Sequence, residues 1–224
     1  MRERTRTYSV AMAVNRPVAW WGRLQVEGLE TVPEQGPLLI IGNHDSHWDP
    51  IMVGIAARKR RQIRALAKSD LWKVRGLGPV LNGMGQIPIE RGKGDKEALA
   101  RAIEALRAGI CIGVFPEGTR SRGKVLRARS GVGRLALEVP EATLICCACT
   151  GTVDIVRFPK RPRIKVEFFL PASGQIDPSE DPGALRARCL AEIRERAPIA
   201  VGGRRRTEEK WRRAAEEEAA AEAE

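Results

Sequence analysis

The feature that most constrains this chain is an alternation. Between residues 38 and 150, short continuous apolar runs take turns with amphipathic or turn-broken stretches. The runs are "LLIIGNH", "QIRALAK", "QIPIERG", "ICIGVFPEG" and "TLICCACTG", with "RPRIKVEFFL" following. Each is too short for a packed helix and too uniformly apolar for a strand with one wet face, so each reads as a strand covered on both sides. The segments between them carry helix signals. "DPIMVGIAARK" places Asp49 as an N-cap before Pro50 at the first helical position, where a missing N–H costs nothing. Residues 95–108 repeat apolar positions at Leu99, Ala102, Ile103 and Leu106 behind a cap at Asp95. "SGVGRLALEV" and "DPGALRARCLAEIRER" are further helices, and "SDLWKVRGLGPVLNGMG" is a helix broken by its glycines and Pro79. Strands alternating with helices imply an α/β fold: a mostly parallel central sheet covered by helices on both faces.

The ends of the chain differ from its middle. Residues 1–25 contain "RTYSVAMAVNRPVAWWGRL", basic at both ends with Trp20 and Trp21 adjacent, and "VEGLETVPEQGP" then leads in turns to the first strand. One reading makes the first segment an interfacial anchor lying on a membrane; the other packs it on the domain as a terminal helix. No apolar run reaches the roughly 20 residues that a membrane span needs, and the segment lacks the core and cleavage site of a signal peptide. Residues 26–200 form the expected domain. Residues 201–224 begin near a Gly-Gly break, carry blocks of charge and lack an apolar stripe, so they read as a solvated helix or disordered tail.

A net charge of +11 points to polyanionic partners, whether anionic lipid, phosphorylated substrate or nucleic acid. Aromatics at 4% argue against a base-stacking platform, so nucleic acid is not the expected partner. The five cysteines are odd in number and four lie in apolar runs. They read as buried small residues of a reducing cytoplasm. Cys146 and Cys147, being adjacent on a strand, must face opposite ways.

Both histidines fall within "GNHDSHWDP", His44 at a strand end and His47 on the turn, with Asp45 and Asp49 beside them. In sheets of this kind ligands sit beyond the carboxyl ends of the strands. "ICIGVFPEGTRSR" brings Glu117, Gly118, Thr119 and Arg120 to a second end, and "QIPIERGKG" brings Glu90, Arg91 and Lys93 to a third. An imidazole would thus meet several cations. A metal site is a poor alternative because no helix-spaced histidine pair exists. A phosphate loop in "GTRSRGKV" fails at Val125, where a hydroxyl should hold magnesium. A non-catalytic basic module would explain the charge but not the histidine–aspartate turn.

"NHDSHWD", "GQIPIERG" and "FPEGTRSR", in that order, resemble the signatures of the glycerolipid acyltransferases, and among them most closely those of bacterial 1-acylglycerol-3-phosphate (lysophosphatidate) acyltransferases. The likeness covers about residues 26–170. It departs from the family pattern at "EATLICCACTGT", where cysteines stand in place of a valine–proline pair. The resemblance implies transfer of a fatty acyl group from an acyl-coenzyme A or acyl-carrier-protein thioester to a lysophospholipid hydroxyl, without metal or redox cofactor, at the cytoplasmic face of a membrane by a peripheral protein. It implies His44 as the general base and Asp49 as the group that orients its ring. Arg91 and Arg120 would bind the acceptor's phosphate through planar guanidinium donors. Gly118 and Thr119 would shape that phosphate end, and Glu117 would orient Arg120 or the acceptor's glycerol. Lys68, Lys93 and Lys124 are secondary candidates for the donor's phosphates, and His47 carries no assigned chemistry. Acceptors other than lysophosphatidate, including glycerol-3-phosphate and lyso-aminolipids, stay open.

Overall fold

A computed structural model describes residues 4–90, 96–126, 131–157, 159, 161–201 and 213. The predicted alternation is present. A seven-stranded sheet is built from β1 (Gln25–Glu27), β2 (Leu38–Gly42), β3 (Ile63–Lys68), β4 (Ile87–Ile89), β5 (Cys111–Val114), β6 (Thr143–Thr150) and β7 (Lys165–Phe169). Its order is β1-β7-β6-β2-β5-β3-β4. Every pairing is parallel except β6 with β7. The helices are α1 (Arg6–Val14), α2 (Arg16–Trp21), α3 (Asp49–Ala57), α4 (Leu77–Gly83), α5 (Lys96–Arg107), α6 (Gly131–Leu137) and α7 (Pro182–Arg196).

The strand pleat explains the layering, because alternate side chains face opposite sides. Leu39, Ile41, Ile112, Val114, Leu144 and Cys146 join the buried residues of α5, α6 and α7 in one core. Leu38, Ile40, Cys111, Ile145 and Cys147 join those of α1, α2 and α3 in the other. Cys146 and Cys147 therefore do face opposite ways, and all five cysteines are free and buried.

Helix α7 is fixed at both ends. Asp181 caps it, accepting from the amides of Gly183 at 2.7 Å and Ala184 at 2.9 Å. Leu185 and Ile193 are fully buried, which stabilises the docking by about 1.5–3 kcal/mol each. The helix crosses α6 so closely that a Cβ on Gly133 would fall 1.9 Å from the Pro182 carbonyl oxygen.

Three local expectations need correction. The N-cap of α3 is Trp48, whose carbonyl accepts from the Met52 amide at 2.9 Å, and Asp49 is the first helical residue. Its carboxylate turns back toward the strand end instead of capping the helix. The turn-rich lead-in contains a short strand, β1, whose hydrogen bonds come from β7, about 140 positions later; no local pattern reports such a partner. The broken helix resolves into a 3-10 turn, Ser69–Lys73, and the short α4.

The N-terminal segment packs on the sheet. Tyr8 and Met12 are buried, and the Tyr8 hydroxyl donates to the Gly54 carbonyl at 3.0 Å. Its outward side exposes Val10, Val14 and Trp20. Among the described residues, no helix is long and apolar enough to cross a membrane. Asp95, Arg91, Lys93 and most of the charged tail lie outside the described residues.

Candidate active site

Strands β2, β5 and β6 are neighbours and parallel, with Ile41 opposite both Val114 and Cys146. Their carboxyl ends therefore emerge side by side, and the three chain segments that follow meet there. His44 lies two residues past β2, Glu117 three past β5 and Thr152 two past β6. Strand β4 ends on the same edge of the sheet, but one strand further out, separated from β5 by β3.

His44 is only 8% exposed, and its ring stacks on Phe115 with centroids 4.7 Å apart. Nδ1 stands 3.2 Å from Oδ2 of Asp49. The same oxygen accepts from the amides of Asp45 and Ser46, each at 2.7 Å. Oδ1 of Asp49 accepts from the Thr152 hydroxyl. This explains why the carboxylate faces backward: the turn between β2 and α3 folds its own N–H groups onto it. A carboxylate so saturated with donors can hold Nδ1 as N–H and leave Nε2 as the basic nitrogen. Nε2 has no hydrogen-bond partner among the described residues, and the side chain keeps 10% exposure through which a substrate hydroxyl could reach it.

A second layer binds the loops to one another. Asn43 continues the β2–β6 ladder through its side chain, donating to the Cys149 carbonyl and accepting from the Cys149 amide, both at 2.8 Å. The Ser121 amide donates to the His44 carbonyl at 2.8 Å, and the Ser121 hydroxyl donates to Asp45. Glu117 accepts the His44 amide at 2.9 Å through Oε2, while Oε1 pairs with Arg194 of α7. Arg194 also grips Asp45 with two bonds, 2.9 and 3.0 Å. Burial raises Glu117 above the usual carboxylate range, against the opposing pull of Arg194. Burial works to lower Arg194, but Asp45 and Glu117 outweigh it and the guanidinium is raised.

The expectation for Glu117 is that it orients Arg120 or the acceptor's glycerol; in the structure its oxygens are taken up by Arg194 and the His44 amide. Arg120 makes neither hydrogen bond nor ion pair among the described residues. It is lowered by partial burial and by Arg122. His47 is exposed on the turn and lowered by partial desolvation, then by Arg120, His44 and Arg122, so these cations gather on the open side of the His44–Asp49 pair. Gly118, at φ +66°, closes a tight turn in which its amide donates to the Phe115 carbonyl at 3.0 Å. Thr119 is exposed at the tip. Lys68 is paired with Asp70 near the surface, and Lys124 donates its amide to Ser121.

Asn43, Asp45, Ser121, Thr152 and Arg194 complete the cluster and were not singled out by the sequence. Thr152 carried a signal in the Gly-Thr step: Gly151 takes φ +76°, and a Cβ there would fall 1.9 Å from the Arg163 carbonyl oxygen. Arg194 carried none, lying 149 positions from Asp45.

Comparison with known proteins agrees with this architecture. The chain is 34% identical over 125 residues to the 1-acyl-sn-glycerol-3-phosphate acyltransferase of Borreliella burgdorferi, covering 54% of this chain and 49% of that one. The chain thus spans about half the length of that relative. It is 25% identical over 171 residues to the Bacillus subtilis protein of the same name, covering 76% and 84%. The fold matches the crystal structure of the 1-acyl-sn-glycerophosphate acyltransferase from Thermotoga maritima with a TM-score of 0.61, at 22% identity over 87% of this chain and 81% of that one. The family model described as Acyltransferase matches residues 23–150, the span that supplies His44, Asp49 and Glu117, and the chain belongs to that acyltransferase family.

Proposed function

We propose that the chain is a 1-acylglycerol-3-phosphate O-acyltransferase that converts lysophosphatidate to phosphatidate at the cytoplasmic face of a membrane, with an acyl-coenzyme A or acyl-carrier-protein thioester as donor. The observation that carries this reading is the buried His44–Asp49 pair at the strand ends, with Arg120, unpaired among the described residues, nearby. In this mechanism Nε2 of His44 takes the proton of the acceptor hydroxyl as its oxygen attacks the thioester carbonyl. Asp49 stabilises the imidazolium. The tetrahedral intermediate then collapses, the C–S bond breaks, and the proton passes to the departing thiolate as the ester forms. Arg120 holds the acceptor phosphate, with Arg91 as a second candidate and Gly118 and Thr119 lining that end. The names of the two bacterial relatives support lysophosphatidate as acceptor.

The test is phosphatidate formation from lysophosphatidate and an oleoyl or palmitoyl thioester, with wild type and His44→Ala assayed side by side. Product from the wild type alone is the expected result. Product from other lyso-lipids or glycerol-3-phosphate only would reassign the acceptor, and equal product from both proteins would remove His44 as the base.

A further inference from the structure

We propose that Arg194, on the last helix of the domain, is a positioning residue for acyl transfer: it clamps the His44 loop to the Glu117 loop and thereby sets the backbone from which the imidazole projects. The role in turnover rests on the acyltransferase reading above, but the clamp itself does not.

Three observations converge on it. Arg194 lies outside the span matched by the acyltransferase family model, residues 23–150, yet it reaches both loops that the span delivers to the site. Its two terminal nitrogens bridge Asp45 and Glu117, and Nη1 also donates to the Ala197 carbonyl at 3.2 Å. Each carboxylate it holds is one step from His44. Glu117 accepts the His44 amide directly, and Asp45 follows His44 in the chain and donates its own amide to Asp49. The guanidinium thus ties the two loops through side chains, alongside the Ser121 hydroxyl on Asp45, the Glu117 carboxylate on the His44 amide and the Ser121 amide on the His44 carbonyl.

Charge makes the clamp more than a brace. Asp45, Asp49 and Glu117 are all less than 5% exposed, and they sit beneath the region where an anionic acceptor would bind. Arg194 is the cation that pairs with two of them. Without it, only the His44 amide opposes burial at Glu117, and the carboxyl takes up a proton at higher pH. The groups facing Glu117 are Arg194 from α7, Asp45 from the turn after β2 and the His44 amide. A protonated Glu117 is a weaker acceptor for that amide, and the loop loosens.

The experiment compares wild type with Arg194→Gln, Arg194→Lys and Leu185→Ala. The last removes a buried side chain of the same helix without touching the clamp. Acyl transfer is followed as thiol release from pH 5 to 9. The His44 ring resonances are read in parallel by NMR in a His47→Asn background, where His44 is the only histidine. Arg194→Gln is expected to lose kcat by on the order of 10²-fold, since small misplacements at the reacting centre cost that much. Its acidic limb should move to higher pH and its His44 signals should broaden or split. Arg194→Lys should recover part of both. Leu185→Ala should lower the melting temperature while leaving the limb and the His44 signals in place. The proposal is overturned if Arg194→Gln keeps the wild-type limb and a single His44 signal, or if Leu185→Ala reproduces its effects. If Arg194→Gln does not fold, Arg194→Lys carries the same comparison. If the wild type turns over no acceptor, the functional reading fails, and the His44 signals alone still decide the clamp.

Discussion

Oδ2 of Asp49 receives the Asp45 and Ser46 amides at 2.7 Å and faces Nδ1 of His44 at 3.2 Å. The carboxylate is thus oriented by the backbone of the turn, and the imidazole is oriented by the carboxylate. Asp49→Asn can keep both amide bonds through its carbonyl oxygen, so the fold should persist. It removes the negative charge that stabilises the imidazolium, and its NH₂, standing in place of Oδ1, meets the Thr152 hydroxyl instead of accepting from it. The expected result is a fall in kcat by about two to four orders of magnitude with little change in acceptor KM. Unchanged kcat would leave Asp49 a structural residue.

The other oxygen of that carboxylate depends on Thr152, which is 1% exposed. Thr152→Val keeps the shape and deletes the donor, at a cost of about 1–3 kcal/mol for a charged acceptor left short of a partner. For a domain of this size that is a melting-temperature loss of about 2–12 °C. Thr152→Ser should restore most of it. Thermal unfolding of the three proteins separates the hydroxyl from the methyl: a loss in Ser with none in Val would assign the effect to packing.

Arg120 makes no hydrogen bond or ion pair among the described residues, so its removal should leave the fold unchanged. A phosphate held in both ground and transition states is uniform binding, which appears in KM and not in kcat. Arg120→Ala should therefore raise KM for lysophosphatidate about tenfold or more. It should leave KM for the thioester and the melting temperature near wild type. An acceptor KM that does not move would take Arg120 out of the phosphate site.

Glu117 links the site to pH. Its folded-state pKa is raised above the ordinary 4.5, so across that window the folded protein binds more protons than the unfolded chain. Stability then falls as pH rises through the window. Wild type should lose stability relative to Glu117→Gln as pH climbs from about 4.5 through the raised value, and the difference should level off above it. Denaturant titrations of the two proteins across pH 4–8 read this directly. A difference that grows the other way would mean that Arg194 overrides burial.

How much of this was legible in sequence follows from where the partners lie. The sheet was legible because β2, β5 and β6 are buried on both faces and read as apolar runs without their neighbours. His44 and Glu117 were legible because each closes such a run with a polar group, and Asp49 because "NHDSHWD" resembles the family signature. The direction of the Asp49 carboxylate was legible only through that resemblance, since an acidic residue before Pro50 carries the same local signature whether it caps the helix or turns back. For Glu117 the sequence offers nearby Arg120 or the acceptor's glycerol; its partner in the structure, Arg194, comes from a helix on which arginines at 186, 188, 194 and 196 look alike. Only the fold sets Arg194, and not the similarly buried Arg188, against Asp45 and Glu117.

The N-terminal helices bear on where the protein works. Deleting them would strip Tyr8, Met12 and Ala19 from the core, so a truncated chain would report on folding as much as on membrane binding. Point changes on the outward side avoid this. Val10 and Val14 lie one turn apart, 61% and 71% exposed, and Trp20 is 76% exposed with Arg161 5.4 Å from its ring. Such a surface, on a chain of net charge +11, suits the boundary between headgroups and acyl chains of an anionic bilayer. Changing all three to serine should weaken binding to vesicles containing phosphatidylglycerol by about tenfold or more, since each tenfold requires only about 1.4 kcal/mol. The melting temperature and turnover of a water-soluble short-chain lysophosphatidate should stay near wild type. Raising salt should weaken the remaining binding further, because the basic surface is still there. Binding that survives the triple change intact would move the contact to another face of the molecule, and equal binding to neutral and anionic vesicles would remove the charge from the account.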